Sequence, residues 1–486
     1  MKNFTNCRCC GRFSKRLLWN AVAFLLIESV TACKKLIEIP PPVDTMTTEQ
    51  VFATSNEAVS AAAAIYSDLI QGNNSFANYP VTVFCGLSAD ELAVPATKQE
   101  DWLQFYRNNL FPGNTYTVNI FWTDLYKHIY RANAILEGLK NSTAIPDSTK
   151  RELEGEALFV RAFCNFYLVN LFGPVPLVTT VNWRKTNLLA RAPVEEVYRL
   201  ILSDLKEAKV LLAADFSVGK SERIIPNRIA ASALLARTYL YIGDWANAEA
   251  EASSVIENPS VALETVSNAF KFDSKEAIWQ LKQNNTRSPS YNVTPEGYFV
   301  RPKSLNSNLL PGVWATTVFL DKVQTGDLRR SAWLDSTKYS LGNKVYFFPG
   351  KYKQGAGQVA AGGAYTQYYI VLRLAEQYLI RTEARLKQDK LAEAIADINI
   401  IRRRSGLEAL NSSLSAEEVM SALIKERQTE LFAEWGHRWL DLKRWGIATK
   451  VLETVKGTDW QPMDQLYPIP DIEIARNPNL TQSDGY

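Results

Sequence analysis

Two stretches of the chain carry apolar residues at helical spacing on either side of a short turn. In residues 231–259, apolar side chains recur every three or four positions, the chain turns at Gly243-Asp244, and a second apolar face follows before a proline ends it. Residues 372–404 repeat this pattern around a polar turn. Each stretch predicts a hairpin of two helices. Because one hairpin cannot bury its apolar faces alone, we expect several of them to stack.

The two predicted hairpins correspond position by position. Trp245 aligns with Leu391 and Ala248 with Ala394 at the same offset. Small alanines where two helices cross, with a short turn between them, resemble the tetratricopeptide repeat. Further amphipathic segments cover residues 48–69, 120–139, 148–171, 194–212 and 415–445. We therefore expect a mostly α fold, a tetratricopeptide-like scaffold of helical hairpins with minor β structure.

An irregular segment separates the two hairpins. Residues 284–363 are rich in Asn, Ser, Pro and Gly and carry aromatic residues at irregular spacing. A long irregular segment inside a compact protein is usually functional or disordered, and the aromatic content argues against disorder. The pattern predicts a large, loop-rich insertion on the helical scaffold, with a short strand at 345–348.

The N-terminus resembles a secretory signal peptide. Basic residues precede the largely apolar run 17–30, which is shorter than the roughly 20 apolar residues of a membrane-spanning helix. The run ends in Val-Thr-Ala before Cys33, an arrangement that resembles a bacterial lipobox. The resemblance implies that residues 1–32 are removed and that Cys33 carries a lipid anchor. The alternative is an ordinary secreted protein with a free Cys33.

The net charge of the chain argues against a nucleic-acid partner. The full chain has a formal net charge of +3, and residues 1–32 contain five Lys or Arg and one Glu, so the mature part is close to neutral. We therefore expect no nucleic-acid partner.

Cys85 and Cys164 are isolated in the sequence and are predicted to be buried thiols, with a disulfide between them as the alternative.

A charged motif near the C-terminus is the most specific in the chain. On a single helix from Ser415, the residues Arg427, Glu430, Glu434 and Arg438 would share one face. Carboxylates beside arginines stay ionised and make poor general acids, so we interpret them as structural charge pairs. The two histidines, at 128 and 437, are predicted to be core or capping residues.

Four blocks of sequence together resemble the SusD/RagB family of outer-membrane nutrient-binding lipoproteins. They are residues 426–446 (ERQTELFAEWGHRWLDLKRWG), the C-terminal part 468–486, and the upstream blocks 122–133 and 156–177. With the lipobox, the resemblance spans nearly the whole mature chain. We expect these domains: signal peptide 1–32, lipid-anchored linker 33–47, helical scaffold 48–283, inserted lobe 284–371, and a C-terminal part 372–486 with the last hairpin, the signature helix and the tail.

The family resemblance implies a function in binding. It predicts a lipoprotein at the outer face of the outer membrane that captures oligosaccharides, or less often peptides, and delivers them to a SusC-like TonB-dependent transporter without chemistry. No cofactor is implied, and a calcium ion is left open. Two alternatives are a periplasmic or surface tetratricopeptide scaffold for protein partners and a surface glycoside hydrolase, for which Asp90 and Glu91 would be the first carboxylates to consider.

Aromatic side chains in polar loops suit an oligosaccharide, because flat apolar rings stack on sugar faces while Asn and Asp bond the hydroxyl groups. By composition alone, the candidate ligand-binding residues are Trp102, Tyr291, Tyr298, Trp314, Asp90 and Asn292. We expect Phe299, Trp333 and Phe347 to lie in the core of the lobe. No residue is predicted to be catalytic.

Overall fold

The computed structural model describes residues 48–71, 75–304, 306–307, 310–339 and 343–486. The predicted signal peptide, the lipid site at Cys33 and the linker lie outside these residues. The chain divides into two units, Met1–Val51 and Phe52–Tyr486. Helix α1 (Thr48–Val51) belongs to the first unit, and all other elements belong to the second.

Helices form most of the second unit. They are α2 (Ser55–Gln71), α3 (Pro80–Ser88), α4 (Glu100–Arg107), α5 (Asp124–Asn141), α6 (Asp147–Phe172), α7 (Trp183–Thr186), α8 (Val194–Leu211), α9 (Arg228–Tyr241), α10 (Trp245–Ile256), α11 (Pro295–Val300), α12 (Thr317–Leu320), α13 (Leu328–Trp333), α14 (Leu374–Leu386), α15 (Leu391–Arg404), α16 (Ala416–Glu430), α17 (His437–Arg444), α18 (Ala448–Lys456) and α19 (Asp471–Arg476). A π-helical turn, Thr117–Thr123, runs directly into α5.

The long helices stack as a continuous series. Helices α5, α6, α8, α9, α10, α14 and α15 each pack against the next, and α10 contacts α14 directly although more than a hundred residues separate them in sequence. Both predicted hairpins, α9–α10 and α14–α15, are present, and Gly243 makes the first turn at a φ of +75°. The prediction of a mostly α fold built from helical hairpins with minor β structure is confirmed.

Small and branched apolar side chains form the contacts of this scaffold. Ala248 and Ala394 are fully buried, so the helices of each hairpin approach closely where they cross. Around Leu379, Ile398 and Leu423, the last hairpin and α16 share one apolar cluster. Fully burying one such Leu or Ile side chain contributes about 1.5–3 kcal/mol. This core is the stable base on which the remaining segments rest.

The chain leaves and rejoins the scaffold through two paired strands. Strand β2 (Ala277–Leu281) is antiparallel to β7 (Tyr369–Arg373), and both are buried along their whole length. The segment 282–368 between them carries a three-stranded sheet of β3 (Asn306–Ser307), β5 (Leu334–Tyr339) and β6 (Lys344–Pro349), in the order β3-β5-β6. Strand β6 confirms the short strand predicted at 345–348. A fourth pair joins β1 (Leu92–Ala93) to β4 (Trp314–Ala315).

The single helix predicted from Ser415 is wrong. Helix α16 ends at Glu430, and α17 begins at His437 after a turn in which Ala433, Trp435 and Gly436 all have positive φ. Tertiary packing explains the break. The buried Trp435 indole donates to the Ile370 carbonyl at 2.7 Å, and a Cβ on Gly436 would lie only 2.8 Å from the Cβ of Cys85.

The break changes the partners of the charged motif but not its role. Arg427 pairs with Asp441 and Arg438 with Asp90, so neither pairs with Glu430 or Glu434 as expected. Those two glutamates bind arginines of other elements: Arg373 donates to both, at 2.5 and 2.7 Å. All of these groups are buried. The interpretation as structural charge pairs is therefore confirmed, with partners that come from distant parts of the chain.

The histidines and cysteines of the second unit have structural positions. His128 and His437 are both buried, as predicted for core residues. Cys85 and Cys164 are buried free thiols, which confirms the first of the two expectations for them. Burial raises the pKa of Cys85 to about 12. A thiol with so high a pKa is not a nucleophile near neutral pH.

Candidate functional site

Two of the predicted ligand-binding residues are not available to a ligand. Asp90 is buried, and its carboxylate accepts two hydrogen bonds from Arg438 at 2.7 and 2.8 Å. Asn292 is buried, and its side-chain oxygen accepts from the Ala360 amide at 2.8 Å. The structure contradicts the prediction for both, because composition placed them in polar loops and did not show that other parts of the chain cover them.

Asp90 instead positions one of the predicted aromatic residues. Its backbone carbonyl accepts from the Thr316 hydroxyl at 2.5 Å, and the carbonyl of Glu91 accepts from the Thr316 amide at 2.9 Å. These bonds hold β4 against β1, so that Trp314 lies opposite Ala93. Asp90 therefore links two elements: its backbone carbonyl binds Thr316, next to the strand that carries Trp314, and its carboxylate binds Arg438 on α17.

Trp102 is held firmly by its neighbours. Its indole N–H donates to the Tyr116 hydroxyl at 2.8 Å, and its ring packs edge to face on the buried Phe84 at 4.8 Å between centroids. The ammonium of Lys98 lies over the ring, 4.3 Å from the centroid. Trp102 is half-buried. It thus presents a fixed ring with a cation on one face.

Phe299 is the most exposed ring of this region. It is 43% exposed, although it was expected in the core of the lobe, and that prediction is wrong. Its ring lies 4.2 Å from that of the buried Tyr79 with 30° between their planes, and Tyr298 packs against its edge at 5.1 Å. One face of Phe299 is therefore supported by the core while the ring as a whole remains open to solvent.

Helix α11, which carries Tyr298 and Phe299, is fixed by its own short-range contacts. The Thr294 hydroxyl accepts from the Gly297 amide at 3.2 Å and caps the helix. A Cβ on Gly297 would lie 2.2 Å from the Gln354 carbonyl oxygen, so glycine is needed for the close approach of that chain segment. The cap and the close backbone approach therefore fix the position of the helix that carries the two rings.

Trp314 and Tyr346 form a second pair of half-buried rings. Their centroids are 4.9 Å apart and the rings are at 64°, with Trp314 on β4 and Tyr346 on β6. The ammonium of Lys344 lies 5.0 Å from the Tyr346 centroid. Trp314 was predicted to bind ligand; it is half-buried here, and its contact with a ligand stays a prediction.

Gly312 brings these groups together. A Cβ at this position would lie 3.7 Å from the carbonyl oxygen of Phe299 and 3.9 Å from the ammonium of Lys98, so both residues approach Gly312. Trp314 follows two residues later. We call the set Trp102, Tyr298, Phe299, Trp314 and Tyr346 the aromatic surface.

The remaining aromatic candidates lie elsewhere. Tyr291 is half-buried in the loop before α11 at a φ of +47°, and the ring contacts of the described residues do not join it to the aromatic surface. Trp333 is buried and donates to the Val266 carbonyl at 2.8 Å, which confirms its prediction as a core residue. Phe347 is half-buried beside Arg330.

Sequence reasoning missed Phe299 and Lys98. In the run Tyr298-Phe299-Val300, one short helix carries three large apolar residues, and its sequence does not show which of them the scaffold covers. A signal was present for Lys98, because its spacing from Trp102 is one helical turn. Whether this spacing places the Lys98 ammonium over the Trp102 ring depends on the turn at 95–98 that precedes α4.

A cavity of about 920 Å³ lies apart from these rings, between the end of α6, the start of α8 and the C-terminal tail. Its polar groups are used by the chain itself. Arg191 donates to the Pro174 and Gln482 carbonyls at 2.8 and 3.0 Å, Tyr198 donates to Asn170 at 3.1 Å, and the Lys443 amine donates to the Asn170 carbonyl. This groove therefore offers fewer free contacts than the aromatic surface.

Within the described part of the chain, no three His, Cys, Asp or Glu side chains are grouped so that they could hold a metal ion. None of the helices described between residues 48 and 486 combines the length and the hydropathy needed to span a bilayer.

Comparison with known proteins now identifies the chain's relatives. A SusD-like family model, described as starch-binding and associating with the outer membrane, matches residues 45–240, and the model of the SusD family matches residues 258–486. The chain belongs to the SusD/RagB family. Glycan binding and association with the outer membrane are properties of this family.

Individual SusD relatives resemble the chain over most of its length. SusD-like protein P2 of Formosa agariphila is 26% identical over 511 residues, which covers 95% of this chain and 98% of the relative. A SusD superfamily protein of Bacteroides vulgatus superposes with a TM-score of 0.76 at 22% identity, covering 89% of this chain and 99% of that one. A laminarin-binding SusD-like protein superposes with a TM-score of 0.73 at 25% identity, with the same coverage.

Proposed function

We propose that this SusD family member captures oligosaccharides on the aromatic surface and delivers them to a SusC-like TonB-dependent transporter. The observation that carries the proposal is the open Phe299 ring, which the buried Tyr79 supports on one face. The family's glycan binding and the laminarin-binding relative support the same class of ligand.

The rigidity of the rings favours binding. Trp102 is held by a hydrogen bond and by Phe84, and Phe299 by Tyr79 and Tyr298, so little side-chain entropy is lost when a sugar docks. Each stacked ring contributes on the order of 1 kcal/mol beyond the area that it buries. Rings carried by several elements suit an extended oligosaccharide better than a single small molecule.

Binding without catalysis is the simplest mechanism for this site. A glycoside hydrolase needs two carboxyl groups that face the scissile bond. Asp90 is bound to Arg438, and Glu91 is buried, with its pKa raised by that burial. These carboxyl groups therefore give no support to the hydrolase alternative.

The cellular location is part of the proposal. Cys33, at the end of the lipobox-like sequence, would carry the lipid, and the body of the protein would face the outside of the cell beside its transporter. Replacing Cys33 with Ala should move the protein from the membrane fraction to the soluble fraction. A tagged protein should co-purify from detergent with a TonB-dependent barrel, identified by mass spectrometry, whereas a tetratricopeptide scaffold for other proteins would not.

Affinity electrophoresis tests the ligand class. The acyl-free protein is run in native gels that contain starch, laminarin, dextran, dextran sulfate, polygalacturonate or methyl-esterified pectin. We expect at least one polysaccharide to retard the wild type, and Phe299→Ala with Trp314→Ala to abolish that retardation. The control is Trp183→Ala, which removes a tryptophan that is 62% exposed and lies outside the aromatic surface. Equal retardation of the double variant and the wild type would contradict the site.

A further inference from the structure

Lys98 is a half-buried cation within the aromatic surface. Its ammonium lies on the Trp102 ring, and burial lowers its pKa from the ordinary value for lysine. None of the ion pairs formed by the described residues involves it. A ring can hold an ammonium through its quadrupole but does not neutralise the charge. The site therefore retains positive charge beside its stacking rings.

A second lysine repeats this arrangement on the other pair of rings. Lys344 is exposed, its ammonium lies over Tyr346, and the ion pairs of residues 343–486 and of the other described segments do not include it. Two of the five rings of the aromatic surface are thus each accompanied by an ammonium without a carboxylate partner.

The carboxylates on the elements that carry or adjoin the two lysines have other partners. Glu100 pairs with Arg107 at 3.2 Å, and Asp101 accepts from the Thr115 amide at 3.3 Å. Asp335, which lies opposite Phe348 and toward the other end of the β5–β6 hairpin from Lys344, pairs with Arg301 and with Lys353. These carboxylates leave the ammonium groups of Lys98 and Lys344 available to a ligand. A surface built for uncharged sugars needs no such excess of positive charge.

We propose that the ligand is an acidic glycan, whose carboxylate or sulfate group contacts Lys98 while a sugar face lies on Phe299. The inference rests on the proposed function and adds the chemical class of the substrate. Gly312 carries no side chain, and among the described residues a Cβ there would meet only the Phe299 carbonyl oxygen and the Lys98 ammonium, so no side chain at this position covers the ammonium. Lys344 would meet a second acidic group farther along the same chain.

Gly312 also offers a substitution that tests the charge inside the site. Its φ is not in the left-handed region, and the nearest atoms to a new Cβ are at ordinary contact distance, so a side chain can be accommodated. Gly312→Asp places a carboxylate beside Lys98 and competes with the ligand's anion. Gly312→Asn has nearly the same shape without the charge, so the ratio of the two affinities isolates electrostatics from steric effects.

The experiment compares matched glycans that differ only in charge: polygalacturonate against methyl-esterified pectin, and dextran sulfate against dextran. We expect retention by the charged member of a pair, weakening as salt rises, and a roughly tenfold loss of affinity in Lys98→Gln and in Gly312→Asp relative to Gly312→Asn. The first pair detects a carboxylate and the second a sulfate ester.

The outcomes separate this inference from the proposed function. If the wild type binds an uncharged glycan as well as its charged counterpart, and Phe299→Ala removes both, the acidic ligand is overturned and glycan capture stands. If Gly312→Asp and Gly312→Asn bind an acidic glycan equally, the contact with Lys98 is overturned. If no glycan of the panel is retained, the proposed function fails and the inference fails with it.

Discussion

The scaffold helices share a continuous apolar core with separate buried ion pairs such as Arg237–Glu376, whereas the segment 282–368 meets the scaffold at a cluster of interlinked charges. Ala248, Leu379 and Ile398 are fully buried between helices that are close in sequence. By contrast, Arg329 of the segment binds Glu426 and Glu430 at 2.6 and 2.9 Å, across about a hundred residues of chain.

The charged contact is a network, not a single pair. Besides Arg329, Lys351 of the segment binds Glu434, and scaffold residues Arg373 and Arg404 bind the same group of carboxylates. Buried ion pairs add little net stability, because desolvation offsets much of the attraction, but their geometry is demanding. Apolar burial therefore supplies most of the stability of this protein, while the charge network sets the position of the segment that carries Phe299 and Trp314.

Removing one member of the network is the strongest test. Arg329→Ala leaves Asp327, Glu426 and Glu430 buried with too little positive charge, so we expect a loss of about 3–5 kcal/mol in the free energy of unfolding. Hydrogen exchange should increase first in the segment 282–368. Urea denaturation provides the free energy. As a control, Arg476→Ala removes an exposed pair and should change stability by less than about 1 kcal/mol; equal effects of the two variants would refute the network.

A cavity in the scaffold should act differently. Leu379→Ala, in the fully buried cluster of the last hairpin, is expected to cost about 3 kcal/mol through lost burial and the cavity left behind. Because the charge network is intact, hydrogen exchange should rise across the helices and the affinity for the retained glycan should be nearly unchanged. Selective loosening of residues 282–368 in this variant would show that the two regions are not held by separate forces.

One buried carboxyl group makes the stability of the segment 282–368 depend on pH. Burial raises the pKa of Glu296, on the helix that carries Phe299, to about 8. An unfolded glutamate titrates near 4.3, so the folded state holds an extra proton between these values and stability falls as pH rises through that window. Glu296→Gln removes the dependence. Relative to wild type, the variant should gain about 3 kcal/mol in the free energy of unfolding between pH 5 and pH 8; a constant difference would contradict the raised pKa.

The hairpins could be predicted because their information is local. The apolar spacing around Ala248 and Ala394 specifies a helix face within a few turns of the same chain. The core positions of His128 and Trp333 and the strand at 345–348 were also within reach of sequence pattern. By contrast, Glu434 was assigned to the wrong partners because its position after a break in the helix depends on how Trp435 packs.

The aromatic site was only partly predictable. Trp102, Tyr298 and Trp314 were identified as rings in polar surroundings, and they lie on the aromatic surface. Asp90 and Asn292 were wrong as accessible groups, and Phe299 was wrongly placed in the core. Accessibility depends on what the rest of the chain covers, and no local pattern contains that information.

By itself, the amino-acid sequence determined the helical hairpins, the family and the presence of an aromatic-rich insertion, because each is encoded in spacing and composition over a few tens of residues. Only the tertiary structure decided that Phe299 is open, that Asp90 is bound to Arg438, and that Lys98 lies near Gly312. Those facts depend on contacts between residues far apart in the chain, whose burial and charge are settled only when all elements pack together.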